Sequence, residues 1–202
     1  AVDGDMSAGG GMEYPNITVI SRSGSKDLLE YVIMHEVGHN WFYGILGSNE
    51  RDHTWMDEGL NEYSNIRYWQ KKYKGINEQI IVQEFVQNKL GIAKNLSMNW
   101  FAYAGYANSG KSRDAQTLNL TAEKYTGGNY GQHYSKTAVF MRYLQHYLGE
   151  DKMDEILQEF YRQWEFRHPY PEDLEAVFSA HLQENLDWFF DNVFEKTTYV
   201  DY

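Results

Sequence analysis

Five residues between positions 28 and 42 recur at alternating steps of four and three along the chain. They are Leu28, Val32, His35, His39 and Phe42. This spacing places them on one face of an α-helix. Ser25 is a typical N-cap before such a helix, and Gly44 and Gly47 indicate its end. The pattern therefore predicts a helix from Lys26 that carries two histidines within an otherwise apolar stripe.

The rest of the pattern predicts an α+β fold in which a short β edge precedes a mostly helical body. The β-branched run at 17–20 predicts a strand, which together with 12–14 would form one extended sheet edge. A second helix is expected from near Thr54 through Tyr68 or beyond. Further helices are expected over 77–93, 135–148, 152–166, 172–183 and 186–194. Residues 94–133 show no clear periodicity and are predicted to be a loop that is functional or mobile.

Composition excludes several classes of protein. With 18 Lys and Arg against 29 Asp and Glu, the formal charge is −11, which argues against a nucleic-acid or anionic-membrane surface. The absence of cysteine excludes disulfides and thiolate metal ligands. No run of eighteen apolar residues is present, so no transmembrane helix is expected. The start at Ala1 shows neither the basic nor the apolar region of a signal peptide, and we expect a piece of a longer chain of unknown compartment.

The chemistry of the chain is indicated by the pattern from His35 to His39, in which two histidines four residues apart enclose Glu36. On a helix the two imidazoles share one face, and the carboxylate of Glu36 lies beside an ion held between them. Two buried core histidines are the structural alternative. Their place in an apolar stripe argues against it, because an unpaired buried polar group is costly. Glu58 follows after eighteen intervening residues, which completes a catalytic ligand set that best matches one zinc ion.

This motif, with its glutamate after eighteen residues, resembles the signature of the aminopeptidase N and leukotriene hydrolase family of thermolysin-like gluzincin metallopeptidases. The family also carries a Gly-x-Met-Glu-Asn segment upstream, which Gly10-Gly11-Met12-Glu13-Tyr14 matches except that Tyr14 replaces asparagine. The resemblance implies that 1–202 is a single catalytic-domain fragment, divided into a strand and substrate edge (1–24), zinc-binding helices (25–93), a loop (94–133) and a helical lobe (134–202). It also implies that the remaining domains of a longer parent chain are partners.

By the same resemblance, Glu13 binds the free amino group of a peptide, and Gly10, Gly11 and Met12 form the edge beside it. A catalytic tyrosine in a Tyr-x-Lys-Gly context is matched by Tyr134, although Thr137 replaces the glycine. Tyr130, His133 and Tyr125 are rivals for that role. Glu36 would act as the general base, while Asp57 and Glu62 are candidates to orient the liganding histidines.

The implied function is a zinc-dependent aminopeptidase that releases N-terminal amino acids from peptides by attack of a zinc-bound water. A thermolysin-like endopeptidase shares this chemistry without an anchor for the amino group. A non-catalytic scaffold that retains the fold, and a hydrolase of non-peptide substrates such as epoxides, are further alternatives. The sequence leaves the preferred N-terminal residue open.

Overall fold

A computed structural model describes residues 2–4, 10–22, 25–73, 79–81, 95–110 and 113–197. Two small sheets accompany the helices. The strands are β1 (Val2–Gly4), β2 (Gly11–Met12), β3 (Val19–Ser21), β4 (Gln79–Ile81) and β5 (Asn95–Ser97). The helices are α1 (Lys26–Gly38), α2 (Leu60–Lys72), α3 (Met98–Gly110), α4 (Gln132–Leu148), α5 (Glu150–Trp164), α6 (Pro171–Leu182) and α7 (Asp187–Phe190). The mostly helical α+β class agrees with the prediction, and none of the described helices is long and apolar enough to cross a bilayer.

The first sheet has the order β1-β3-β2, with β1 parallel and β2 antiparallel to β3. The prediction of one extended edge from 12–14 and 17–20 was wrong, because the chain reverses between these segments. Asn16 takes a φ of 63°, and the backbone N–H of Ile17 donates to the carbonyl of Tyr14 at 3.0 Å. Asparagine tolerates this left-handed conformation better than most residues do. The reversal lays β2 across α1.

Helix α1 begins as predicted, since the Ser25 hydroxyl accepts from the backbone N–H of Leu28 at 3.5 Å. It ends at Gly38, earlier than the predicted end at Gly44 or Gly47, and turns follow. The predicted stripe is also displaced, because Leu28 is 38% exposed while Glu36 is the buried residue of the helix at 4%. The inward face therefore holds a carboxylate in addition to the histidines.

The core lies among α2, α4, α5, α6 and the C-terminal turns. A π-helical segment, Trp55–Gly59, precedes α2 and a second one, Asp191–Glu195, follows α7. The rings of Trp55 and Phe194 stack with centroids 3.7 Å apart, which joins these two segments. The helix predicted from near Thr54 and the four predicted C-terminal helices are confirmed within a few residues.

Two predictions between positions 77 and 133 were wrong. Residues 79–81, expected to be helical, form β4, which pairs antiparallel with β5. Residues 77–78 and 82–93 of that predicted helix lie outside the described part of the chain. The stretch 94–133, expected to be a loop, contains β5 and the thirteen-residue α3. Helix α3 buries Met98, Ala102 and Tyr106 at steps of four against α4, and its exposed Trp100 and Tyr103 obscure this period in the sequence.

Candidate metal centre

Three side chains from α1 and the following π-helical segment meet at one point. The Nε2 atoms of His35 and His39 lie 3.1 Å apart, and Oε2 of Glu58 lies 3.1 Å from the first and 3.2 Å from the second. The two imidazoles face one another because they are separated by four residues on α1. The π-helical segment turns Glu58 toward them from the start of the second helix. The structure therefore brings together the three residues predicted to bind a metal.

The spacing of these atoms suits a small tetrahedral cation. Zinc bonds of about 2.0–2.1 Å place neighbouring ligand atoms about 3.3 Å apart in a tetrahedron. The observed edges of 3.1, 3.1 and 3.2 Å are close to this value. Two nitrogen donors and one carboxylate oxygen are also the donors that zinc accepts in sites with an open fourth position. The residues present thus fit the metal that the sequence predicts.

Asp57 orients His39. Its Oδ1 lies 2.6 Å from Nδ1 of His39, and both side chains are buried. Burial alone would lower the pKa of His39, but the hydrogen bonds to Asp57 and Glu58 raise this pKa to about 11. Burial likewise opposes ionisation of Glu58, yet hydrogen bonds from the two histidines hold its pKa down at about 2. Without a metal, protons on the imidazoles supply the positive charge that Glu58 requires.

His35 is oriented by an amide rather than by a carboxylate. The side-chain amide of Asn65 lies 2.8 Å from its Nδ1, whereas Oε2 of Glu62 is 3.8 Å away. The Glu62 carboxylate instead accepts a hydrogen bond from the hydroxyl of Tyr31. Asn61 donates to the backbone carbonyl of His35 at 2.8 Å. The Asn65 atom 2.8 Å from Nδ1 is the amide nitrogen, which donates to Nδ1. A histidine that binds metal through Nε2 carries its proton on Nδ1, and a half-turn of the Asn65 amide would place its oxygen there to accept that proton.

The carboxylate of Glu36 is held beside this cluster with one oxygen unpaired. Its Oε2 is buried and has no hydrogen-bond partner among the described residues. Burial raises the pKa of Glu36 to about 7, and the negative charge of Glu13 acts in the same direction. Gly11 permits this position, because a Cβ there would lie 2.5 Å from the carboxyl carbon of Glu36. Strand β2 therefore covers the carboxylate at a distance that only glycine allows.

Two cavities adjoin the cluster, and Glu13 and Glu36 line both. The first, of about 410 Å³, is also lined by Gly10, Gly11, Met12, His35, Glu58, Tyr130 and Tyr134, and we call it the Tyr134 cavity. The second, of about 530 Å³, extends past Glu13 toward His39, Asn40 and Tyr43, and we call it the Tyr43 cavity. A carboxylate oxygen of Glu13 also lies within 4.8 Å of ligand atoms of His39 and Asp57. All the predicted site residues thus border one cleft.

The tyrosines near the site differ in what they contact. The hydroxyl of Tyr134 donates to Oε1 of Glu58 at 2.5 Å, and its ring centroid lies 5.8 Å from that of His35. Tyr130 lines the same cavity, with its ring 6.3 Å from that of Tyr134. Tyr125 instead bonds to the backbone at Thr117 and Leu120. His133 is fully buried against the Tyr125 and Tyr130 rings and lines neither cavity.

Sequence reasoning missed three residues, namely Tyr31 and Tyr43, which line the two cavities, and Asn65, which contacts His35. Asn65 follows Glu58 by seven residues, two turns along the helix, which is the one signal that could have pointed to it. Tyr43 and Tyr31 carry no comparable signal, since both occur among other aromatic and aliphatic residues.

The amino-acid sequence is similar to those of known proteins. The sequence model described as "Peptidase family M1 domain" matches residues 7–193. Human aminopeptidase Q is 25% identical over 162 residues, which are 79% of this chain and 15% of that protein. Mouse aminopeptidase B is 23% identical over 185 residues, which are 87% of this chain and 26% of that protein. This chain therefore spans about a quarter or less of these relatives.

Solved structures share the fold. An M1 zinc metallopeptidase from Deinococcus radiodurans matches with a TM-score of 0.66 at 16% identity, over 95% of this chain and 38% of that one. Native yeast LTA4 hydrolase matches with a TM-score of 0.69 at 18% identity, over 96% of this chain and 30% of that one. The arrangement of strands and helices around the cleft is thus a known one.

Proposed function

Because this chain belongs to peptidase family M1, we propose that it carries the catalytic site of a zinc-dependent aminopeptidase. The observation that carries the proposal is the near-equilateral triangle formed by Nε2 of His35, Nε2 of His39 and Oε2 of Glu58. Its relatives named aminopeptidase Q and aminopeptidase B favour release of single residues from a free N-terminus.

In this proposal His35, His39 and Glu58 hold the zinc ion. When bound, zinc polarises the scissile carbonyl and makes a water molecule a stronger nucleophile at neutral pH. Asp57 keeps the imidazole of His39 in the orientation and tautomer that binding requires, and Asn65 orients that of His35. The chain's own residues then supply the proton transfers and the substrate contacts.

Glu36 is proposed to be the general base. Its unpaired Oε2 accepts a proton from the attacking water and later gives that proton to the leaving amine. A general base works best when its pKa is close to the working pH, and burial has moved the pKa of Glu36 to about 7. Bound zinc opposes this effect because a nearby cation favours the carboxylate.

Tyr134 and Glu13 are proposed to contact the two ends of the reacting residue. The hydroxyl of Tyr134, now bonded to Glu58, is within reach of the carbonyl oxygen, where negative charge develops. Glu13 lines the same cavity as Tyr134 and would pair with the substrate's ammonium group. One residue then separates the ammonium group from the bond that is cut.

This arrangement assigns the two cavities to different parts of the substrate. With the ammonium group at Glu13, an extended peptide runs back along β2 toward Gly11 and Gly10. The leaving peptide then occupies the Tyr134 cavity. The side chain of the first residue extends into the Tyr43 cavity, beyond Glu13.

Metal content and hydrolysis together test the proposal. We expect about one zinc ion per purified chain, cleavage of aminoacyl-arylamides, loss of cleavage on chelation and recovery with zinc. N-acetylated arylamides should resist cleavage, and Glu13→Gln should impair the free-amine substrates selectively. A chain that binds no zinc would contradict the metal site. Equal cleavage of acetylated substrates, or cleavage within a blocked peptide, would favour the endopeptidase alternative.

The base is tested by Glu36→Gln, which keeps the shape of the side chain. We expect hydrolysis to fall by a factor of about 100 or more while zinc content is unchanged. Asp52→Asn is a matched control, because Asp52 accepts a hydrogen bond from Asn49 and lines neither cavity. Full activity of Glu36→Gln would contradict the role proposed for Glu36.

A further inference from the structure

Tyr31 lies one turn before His35 on α1, and the two side chains share a face of that helix. Their rings are stacked with centroids 6.2 Å apart. The hydroxyl of Tyr31 donates to Oε2 of Glu62, a buried carboxylate on α2. Burial raises the pKa of Tyr31 well above its ordinary value, and the charge of Glu62 raises it further. The hydroxyl therefore keeps its proton and remains the donor in this bond.

The same oxygen of Glu62 lies close to the nitrogen of His35 that faces away from the metal. Oε2 is 3.8 Å from Nδ1 of His35, which is beyond hydrogen-bond distance. The described groups that do lie within that distance of Nδ1 are the amide nitrogens of Asn65 at 2.8 Å and Asn61 at 3.4 Å, and both are donors. Zinc bound at Nε2 requires a proton on Nδ1, and that proton needs an acceptor.

Two groups are placed to become that acceptor, and they differ in what they must give up. A half-turn of the Asn65 amide would break the hydrogen bond that the same amide makes to Glu62. Glu62 needs only to move its Oε2 by about 1 Å, and a carboxylate is a stronger acceptor than an amide. The bond from Tyr31 holds this oxygen in place. Tyr31 and His35 therefore compete for one oxygen of Glu62.

We propose that Tyr31 is a positioning residue that limits the zinc affinity of the site, because it holds Glu62 away from His35. The inference rests on the metal site of the proposed function, since it requires zinc to bind at Nε2 of His35. Removal of the Tyr31 hydroxyl frees Glu62 to accept the proton of Nδ1. An imidazole that donates to a carboxylate is a stronger metal ligand. Loss of a hydrogen bond at this position thus strengthens metal binding.

The test is the zinc affinity of Tyr31→Phe, which keeps the ring and removes the hydroxyl. Competition with a chromogenic chelator at constant pH measures it. We expect zinc to bind about tenfold more tightly than in the wild-type chain, the lower end of the range for partners of metal-binding histidines. Adding Glu62→Gln to Tyr31→Phe should remove most of this gain, because the carboxylate supplies it. An affinity that is unchanged or lower in Tyr31→Phe, or an equal gain in the double variant, would overturn the inference.

Tyr73→Phe is the matched control. The hydroxyl of Tyr73, the residue after α2, donates to Oε1 of Glu30 on α1 at 2.5 Å. This bond also joins a tyrosine to a glutamate across α1 and α2, but neither residue lines either cavity. Tyr73→Phe should leave the zinc affinity unchanged. An equal rise in Tyr73→Phe would assign the effect to looser packing of the two helices and would refute the role of Tyr31.

A spectroscopic measurement reports the contact itself. In the zinc-loaded chain, the Nδ1 proton of His35 should resonate further downfield in Tyr31→Phe than in the wild-type chain, because its hydrogen bond to Glu62 is stronger than one to an amide. An unchanged resonance would count against the inference.

These readouts separate the inference from the proposed function, because neither requires hydrolysis. Tighter zinc binding in Tyr31→Phe, in a chain that cleaves no arylamide, would contradict the proposed activity and support the inference. Cleavage of arylamides by a chain whose zinc affinity is the same with and without the Tyr31 hydroxyl would support the activity and overturn the inference.

Discussion

Oδ1 of Asp57 lies 2.6 Å from Nδ1 of His39, and only 2% of the Asp57 side chain and 1% of the His39 side chain are exposed. A carboxylate in this position fixes the imidazole so that Nε2 points at the metal, and it makes the ring a stronger donor. His35 has only the amide of Asn65 at the corresponding place. The two histidine ligands are therefore supported unequally, because a carboxylate contacts Nδ1 directly only at His39, while Oε2 of Glu62 lies 3.8 Å from Nδ1 of His35.

We expect Asp57→Asn to weaken zinc binding by a factor of about 10 to 100, because the amide keeps the contact but removes the charge. Competition with a chromogenic chelator at constant pH measures this change. Asn65→Asp is the complementary variant and should strengthen binding by adding a carboxylate behind His35. An unchanged zinc affinity in Asp57→Asn would show that the contact supports the fold alone.

Local signals in the sequence were sufficient to predict helix α1 and to predict that its two histidines lie together. A serine cap and a helical period fix the positions of His35 and His39 relative to one another, whatever the rest of the chain does. The contribution of Asn65 could not be found in this way, because it depends on how closely α1 and α2 approach. That approach depends on Gly38, where a Cβ would collide with Asn61.

Residues 94–133 were predicted less well, because packing between helices also determines the structure there. Helix α3 buries one methionine, one alanine and one tyrosine, and this mixture gives a weak apolar period. Its exposed rings carry as much apolar character as its buried face, so the sequence alone does not show which side faces α4. Tertiary packing, rather than local propensity, determines this helix.

Proton competition should make zinc binding depend on pH. The carboxylates of Asp57 and Glu58 outweigh the effect of burial and raise the pKa of His39 to about 11, and Glu58 also raises the pKa of His35. The imidazole of His39 therefore holds a proton at neutral pH in the metal-free chain, and zinc must displace it. We expect the logarithm of the association constant to rise by at least about one per pH unit between pH 6 and 8.

Calorimetry in two buffers with different ionisation enthalpies measures the protons released on zinc binding. A release of at least about one proton near pH 6 is the expected result, because His39 holds a proton there. In Asp57→Asn the pKa of His39 should fall, so fewer protons should be released at the same pH. An affinity that does not change with pH would mean that the imidazoles are already neutral in the metal-free chain.

Gly11 should be essential for the position of the base. A Cβ at this position would lie 2.5 Å from both Cδ and Oε1 of Glu36, so Gly11→Ala must displace either the strand or the carboxylate. A displacement of about 1 Å in a catalytic group can lower the rate by about 100-fold. We expect Gly11→Ala to hydrolyse substrate about 100-fold more slowly than the wild-type chain. Its zinc content, measured by metal analysis, should be unchanged. Gly131→Ala is the matched control, because a Cβ there has no neighbour within 4 Å.

Tyr134 and Tyr130 line the same cavity, and only the first contacts a metal ligand. If the hydroxyl of Tyr134 stabilises the developing oxyanion, Tyr134→Phe should lower kcat by a factor of about 100 to 1000 and change KM little. Tyr130→Phe should affect kcat less than tenfold, since no hydrogen bond from its hydroxyl to the metal ligands is present among the described residues. Steady-state kinetics of both variants on one arylamide shows which tyrosine stabilises the oxyanion. A larger loss of kcat in Tyr130→Phe would transfer the oxyanion role to Tyr130.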